Sequence, residues 1–400
     1  MRDALGQGTI LGYCTNVHAG ATWDQTKANL QQHALAVKQR VSPAEPMGIG
    51  LWLSAQTARE LVQENRIEEL RDFLGEHGLL AYTFNGFPYG DFHQPVVKHR
   101  VYEPDWSDPA RVAYTKDLIA ILAQLLPDDQ REGSISTLPV GWKTIGGDAQ
   151  RLQAAARNLL NVAEHLQELE QNGGPLIHVD LEPEPGCYLE RAPDVVRFFT
   201  EHLAPRSRQV DVTRHVRVCH DVCHTAVMFE DQTDTLRRYK SARIRIGKVQ
   251  IASAIRVDFD SLNRRDRWAA SKQLGDFQEA RYLHQTVVQQ QVGGPTVFYE
   301  DLPSALSALA DAQAPVGEWR VHFHVPIYVD QIGLVGTTQE YVGQCLELLR
   351  NGEVGHWEVE TYAWEVLPDK MKQETLADGI AEELMWLLQS VAAGQRTEGT

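Results

Sequence analysis

Leu176-Ile177-His178-Val179-Asp180-Leu181-Glu182-Pro183 is a short strand-like run set between two helical patterns, 148–171 before it and 193–203 after it. Gly173-Gly174-Pro175 stops the first helix, and a proline closes the run itself. Helix, stop, strand, helix is the unit of parallel sheets, because a parallel neighbour can be reached only through a crossover. The unit recurs along the chain. Strand candidates fall at 10–16, 48–53, 79–85, 134–138, 176–182, 215–221, 248–252, 320–325 and 357–362, with helical patterns at 24–40, 57–75, 109–126, 148–171, 193–203, 271–290, 338–349 and 373–390. Nine strand candidates compete for eight places in a closed (β/α)8, or TIM, barrel. A doubly wound open sheet would carry a Gly-rich phosphate turn after its first strand, and none follows 10–16.

A minimal barrel needs only ~250 residues, so a chain of 400 carries a surplus. It lies in an aromatic loop at 89–106, after the third strand, and in 254–320, between the seventh candidate and the eighth. Loops that follow strands sit on the C-terminal face, so both insertions are expected to shape or cover a pocket. Residues 1–391 read as one barrel domain and 392–400 as a flexible tail. With 38 Lys and Arg against 54 Asp and Glu, the formal charge is −16, which repels phosphate backbones and anionic lipid and argues against nucleic-acid binding. No apolar run reaches the ~18–20 residues of a membrane helix, and the start lacks a signal-like apolar stretch, so no direct membrane insertion and a cytoplasmic location are expected. The five cysteines fit reduced thiols better than a disulfide framework.

Residues two apart on a strand share a face. In 176–182 that face carries His178, Asp180 and Glu182, an acidic stripe that needs cations or donors if buried. Cys219-His220-Asp221-Val222-Cys223-His224 ends a strand at Asp221 and places His224 one helical turn later, so both side chains can converge on the mouth. Val321-His322-Phe323-His324-Val325-Pro326 sets two histidines in phase, and Trp357-Glu358-Val359-Glu360-Thr361-Tyr362 sets two acids in phase, with Glu360 nearer the mouth. Gln250 adds a neutral polar group. A structural zinc site through Cys219 and Cys223 is disfavoured for want of a second Cys/His pair. The expected metal set is Glu182, Asp221 and Glu360 with His224, His324 or Gln250, suited to Mn, Mg, Co or Zn. Glu182 and Glu360, from different strands, are the candidate proton-transfer pair for enolising an α-hydroxycarbonyl compound. His18, Asn85, His322 and Tyr362 are candidate substrate contacts.

A Glu ending one strand, an Asp-x-x-His pair ending the next, a His on the following strand and a Glu on the last is the pattern of the xylose-isomerase-like barrels, which include sugar epimerases and endonuclease IV-type enzymes. Leu181-Glu182-Pro183, Asp221-Val222-Cys223-His224 and Val359-Glu360-Thr361 resemble three of those positions; Gln250 stands where the His is expected, so either Gln250 takes that role or His324 supplies the imidazole. Leu11-Gly12-Tyr13-Cys14-Thr15-Asn16-Val17-His18, Thr83-Phe84-Asn85-Gly86-Phe87-Pro88, Ser136-Thr137-Leu138-Pro139, Leu181-Glu182-Pro183-Glu184-Pro185 and His322-Phe323-His324-Val325-Pro326 together resemble the EboE family of metabolite traffic proteins, over nearly the whole chain. That resemblance implies a role in making or exporting a small metabolite precursor beside prenyltransferase-like and cyclitol-synthase-like partners of one pathway. The leading expectation is a metal-dependent isomerase or epimerase acting on a small sugar, polyol or cyclitol-like compound. A non-catalytic carrier on the same barrel is the alternative, and a nuclease is disfavoured by the acidic charge.

Overall fold

A computed structural model describes residues 1–207, 210–309, 314–349 and 352–397. Eight parallel strands close a barrel: β1 Ile10–Cys14, β2 Met47–Trp52, β3 Leu79–Asn85, β4 Glu132–Thr137, β5 Leu176–Leu181, β6 Val216–Asp221, β7 Ile246–Ile251 and, last in the chain, β14 His356–Val359. β14 closes the ring by pairing with both β1 and β7. Nearly every residue of these strands is buried, as parallel strands must be when helices cover one face and the barrel interior the other.

The ninth candidate, 320–325, is not a barrel strand. It belongs to β11 Glu318–Val325, in a separate antiparallel sheet built wholly between β7 and β14. That sheet comprises β8 Ser253–Asp258, β9 Thr286–Gln289, β10 Thr296–Tyr299, β11, β12 Gln331–Ile332 and β13 Val335–Thr337, in the order β10-β9-β11-β8-β13-β12. The insertion therefore runs past Arg320, until the crossover helix Gln339–Leu349 returns the chain to the barrel.

Two helical expectations fail locally. The pattern over 271–290 is a helix only at Arg264–Gly275; its end is the strand β9, where Thr286-Val287-Val288 brings β-branched residues to a sheet. The pattern over 57–75 is two helices, Ala55–Gln63 and Ile67–Glu76, separated where Asn65 takes a left-handed φ of 55°. The closing helix Leu376–Thr397 continues into the expected tail, of which residues 398–400 lie outside those described.

The barrel interior is polar as well as apolar. Lys248 and Glu358 pair with each other at 2.5 Å, and His178 Nδ1 lies 2.6 Å from Asp180 Oδ1 lower in the barrel. Space for these acids comes from glycine: a Cβ at Gly50 would overlap the Glu358 carboxylate, and one at Gly247 would overlap that of Asp180. All five cysteines are buried and unpaired. Among the described residues no helix is long and apolar enough to cross a membrane.

Candidate functional site

Three barrel strands bring carboxylates to one point at their C-terminal ends. Glu182 follows β5, Asp221 closes β6 and Glu360 follows β14, and one oxygen of each lies within 4.8 Å of the others. Asp221 is held by a local structural duty: as N-cap of the short helix Val222–Val227, its Oδ1 accepts the His224 backbone N–H at 2.8 Å. Glu360 Oε1 accepts from Asn16 Nδ2 at 2.6 Å and from Asn85 Nδ2 at 2.9 Å. Glu182 Oε2 and Asp221 Oδ2, both buried, have no hydrogen-bond partner. Burial, reinforced by repulsion among neighbouring carboxylates, pushes Asp221 and Glu360 up to about 7 and Glu182 well above the usual carboxylate range.

Three imidazoles stand beside them. His224 Nε2 lies 3.2 Å from His322 Nε2, which lies 3.3 Å from His324 Nε2. The opposite nitrogen of each ring faces an oxygen: Pro183 O at 2.9 Å from His224 Nδ1, Gln285 Oε1 at 2.8 Å from His322 Nδ1, and Glu360 O at 2.8 Å from His324 Nδ1. Gln285 directs its Oε1 this way because its Nε2 donates to Pro185 O and Glu184 Oε1. Burial holds all three imidazoles below the usual histidine range, and repulsion from their imidazole neighbours adds to it. Glu184, which also accepts from Tyr102 Oη at 2.7 Å, is raised by burial to about 8.

Glu182, Glu184, Glu360 and the three imidazoles line a cavity of ≈ 60 Å³, room for a few water-sized groups. Its roof comes from both insertions: Phe92, Val97, Lys98, Val101 and Tyr102 from one, Tyr282 and Leu283 from the other. Phe92, Tyr282 and Tyr362 pack edge to face or tilted, with centroids 4.9–5.3 Å apart.

Of the expected residues, Glu182, His224, His324, Glu360, Asn85, His322 and Tyr362 all line this cavity, and Asp221 lies within the carboxylate set. Gln250 is buried on β7 at the level of Asp221, beside Glu360. His18 stands apart. The turn Thr15–Val17 ends β1 early and carries His18 away, where Nε2 meets Tyr13 Oη at 3.0 Å, the ring stacks on His33, and both rings line a different cavity. Lys248, a conceivable partner for Glu360, pairs one inward-facing position lower, with Glu358. Residues that sequence reading missed include Asn16, Glu184, Tyr102 and Gln285. Glu184 had a signal, two places beyond Glu182; Gln285 had none, being buried in a stretch that reads as helix.

No protein-family model matches the sequence, and neither does any curated protein. Among solved structures, a xylose isomerase-like TIM barrel protein from Mycobacterium smegmatis, in complex with magnesium, matches with a TM-score of 0.51 and 13% identity, over 98% of this chain and 99% of that one. The chain has the xylose-isomerase-like TIM-barrel fold. Two other solved structures match at lower scores. The probable 3-DHS dehydratase AsbF of Bacillus anthracis, involved in petrobactin synthesis, has a TM-score of 0.47 and 13% identity over 95% of this chain and 98% of that one. The IOLI protein with a bound zinc atom has a TM-score of 0.48 and 10% identity over 96% and 99%. Buried carboxylates without enough cations, two of their oxygens unpartnered, fit a divalent ion.

Proposed function

We propose that the protein is a metal-dependent isomerase or epimerase acting on a small sugar, polyol or cyclitol-like compound, in the making or trafficking of a metabolite precursor. The observation that carries this reading is the convergence of Glu182, Asp221 and Glu360, from three strands, on one buried point. The motifs that resemble the EboE family support the metabolic setting, and we read residues 1–391 as one catalytic barrel.

Glu182, Asp221 and Glu360 would hold the ion, whose role when bound is to polarise adjacent carbonyl and hydroxyl oxygens and so acidify the C–H between them. Proton movement falls to the carboxylates. Asn16 and Asn85 occupy Glu360 Oε1, fixing the group and leaving Oε2 to take or return a proton. Glu182 arrives from a different strand, so the pair can serve opposite sides of a bound carbon. The wall of Phe92, Tyr282 and Tyr362 keeps bulk water from the transferring proton.

The test is incorporation of solvent deuterium next to the carbonyl of ketoses, aldoses or inosose-like cyclitols, read by mass spectrometry with added Mn or Mg. Glu182→Gln and Glu360→Gln keep size and hydrogen bonding but remove the base, and each should lower exchange by at least ~100-fold. A parent protein that binds such a ligand and metal yet never exchanges the proton overturns the enzyme and leaves a carrier, for which Gln250 in place of an imidazole is the supporting feature.

A further inference from the structure

The face opposite the mouth carries a cleft of ≈ 740 Å³, at the N-terminal ends of β5, β6 and β7, where Leu176, Arg217 and Ile246 line it. Helix Gln232–Ser241 and the crossover helix Gln339–Leu349 supply the rest of its wall. Its sign is the reverse of the molecule's. Arg214, Arg217, Arg237, Lys240 and Arg245 line it against two acids, Glu132 and Glu353, in a chain of formal charge −16. The reversal is concentrated in the sequence, since Arg237-Arg238-Tyr239-Lys240-Ser241-Ala242-Arg243-Ile244-Arg245 holds five cations and no acid. Between the cations the lining is apolar, with Leu236, Tyr239, Ile244 and Leu349, and Leu348 beside them is 36% exposed.

How the cations are held narrows what the cleft can take. Arg217, the most buried of the five, is fixed by Nε donating to Arg214 O at 3.0 Å and Nη1 donating to Glu132 Oε1 at 2.7 Å. Arg214 pairs with Glu170, Arg237 with Asp234, and Lys240 Nζ lies 3.7 Å from Glu353, all where water reaches them. Exposed pairs of this kind are weak and exchange partners readily. The Arg245 guanidinium is exposed and has no ion-pair or hydrogen-bond partner among the described residues. A small anion would need several free donors aimed at one point, whereas these cations are spread around an apolar lining with a carboxylate beside most of them. A phosphate backbone would leave that lining unused, and a flat bilayer cannot enter a concave cleft. Apolar lining and cationic rim together match an occupant with one apolar and one acidic face. We propose that the cleft docks an acidic amphipathic helix of a partner protein, its apolar stripe against Leu236, Tyr239 and Leu348 and its carboxylates on Arg237, Lys240 and Arg245. At physiological salt, charges beyond ~8 Å are largely screened, so the cleft's own cations govern the contact rather than the overall charge. The barrel mouth, at the other end of the strands, stays open in such a complex.

The test uses full-length protein and a fluorescein-labelled peptide of ~15 residues with Leu on one helical face and Glu on the other, long enough to hold a helix once bound. A scrambled peptide of the same composition is the control. Fluorescence anisotropy should show the patterned peptide binding more tightly than the scrambled one. The double variant Arg237→Glu, Arg245→Glu should weaken that binding at least ~10-fold, because it sets like charge against the peptide's acids. Leu348→Glu changes a single exposed side chain and should also weaken binding, which keeps the test decisive if the double variant does not fold. The proposal is overturned if both peptides bind alike, or if the substituted proteins bind as tightly as the parent. It is overturned equally if inorganic phosphate at constant ionic strength displaces the peptide, which would make the cleft a small-anion site. A parent dimer that these substitutions dissociate would seat a second copy of the chain there, and would also overturn it.

Discussion

Lys248 Nζ lies 2.5 Å from Glu358 Oε2 in the middle of the barrel, and neither side chain reaches solvent. Lys248 alone pulls Glu182 and Glu360 downward in pKa, while Glu358, its partner, pushes Glu360 up more strongly than Lys248 lowers it. Lys248→Met would leave Glu358 buried and unpaired, and should cost ~3–5 kcal/mol of stability in urea unfolding. The double variant Lys248→Met, Glu358→Leu should recover much of that loss. Equal losses in single and double variants would show that the pair is not the source.

Asn16 and Asn85 hold Glu360 from one side. Replacing either with Ala should weaken Mn binding ~10- to 100-fold, as loss of a ligand's supporting hydrogen bond does. Titration calorimetry reads this directly. Unchanged affinity would remove Glu360 from the ligand set.

Stability of chelator-treated protein should fall between pH 7.5 and 8.5. Asp221, Glu230, Glu360 and Glu383 are raised mainly by burial to about 7, and Glu184 to about 8. In this window the unfolded chain has already lost those protons while the folded state still holds part of them, so unfolding becomes easier as pH rises through the folded values. Histidines lowered by burial are neutral in the folded state and act below ~7.5, where the unfolded chain begins to bind protons. The Met1 amine, lowered to about 5, opposes the trend as one group against five. Urea midpoints at three pH values check the sign, and added Mn should flatten the fall.

Lys98 clasps the two insertions over the cavity. Its Nζ donates to Tyr282 O at 2.5 Å and Asp301 Oδ2 at 2.7 Å, and its backbone N–H to Arg281 O. Lys98→Met should loosen this roof by roughly 1.5–3 kcal/mol. Limited proteolysis within 89–106 should quicken accordingly, whereas an unchanged cleavage rate would mean that apolar packing alone holds the roof.

The barrel was readable because each strand and its crossover leave a local pattern. Which sheet a strand joins leaves none, so 320–325 passed for a barrel strand although β11 pairs with β8 and β9. The convergence of Glu182, Asp221 and Glu360 is legible because each stands at the C-terminal end of its strand, in phase with the inward face. His324, the alternative to Gln250 as the source of an imidazole, reaches the site from outside the barrel. His18 misled because one turn of irregular backbone after β1 decides its direction, and no periodicity reports that. Asn16 and Gln285 act by holding other side chains, a role fixed only by three-dimensional proximity.

The second sheet leaves the barrel after β7 and returns through the helix before β14, and those two strands are paired neighbours. A descendant chain can therefore lengthen, shorten or exchange this sheet without breaking any rung of the closed ring. Because His322 and His324 travel with it, such an exchange would change cavity imidazoles and pocket roof together while the carboxylates stay in place. The cavity is thus lined partly by a detachable cartridge and partly by the vessel wall.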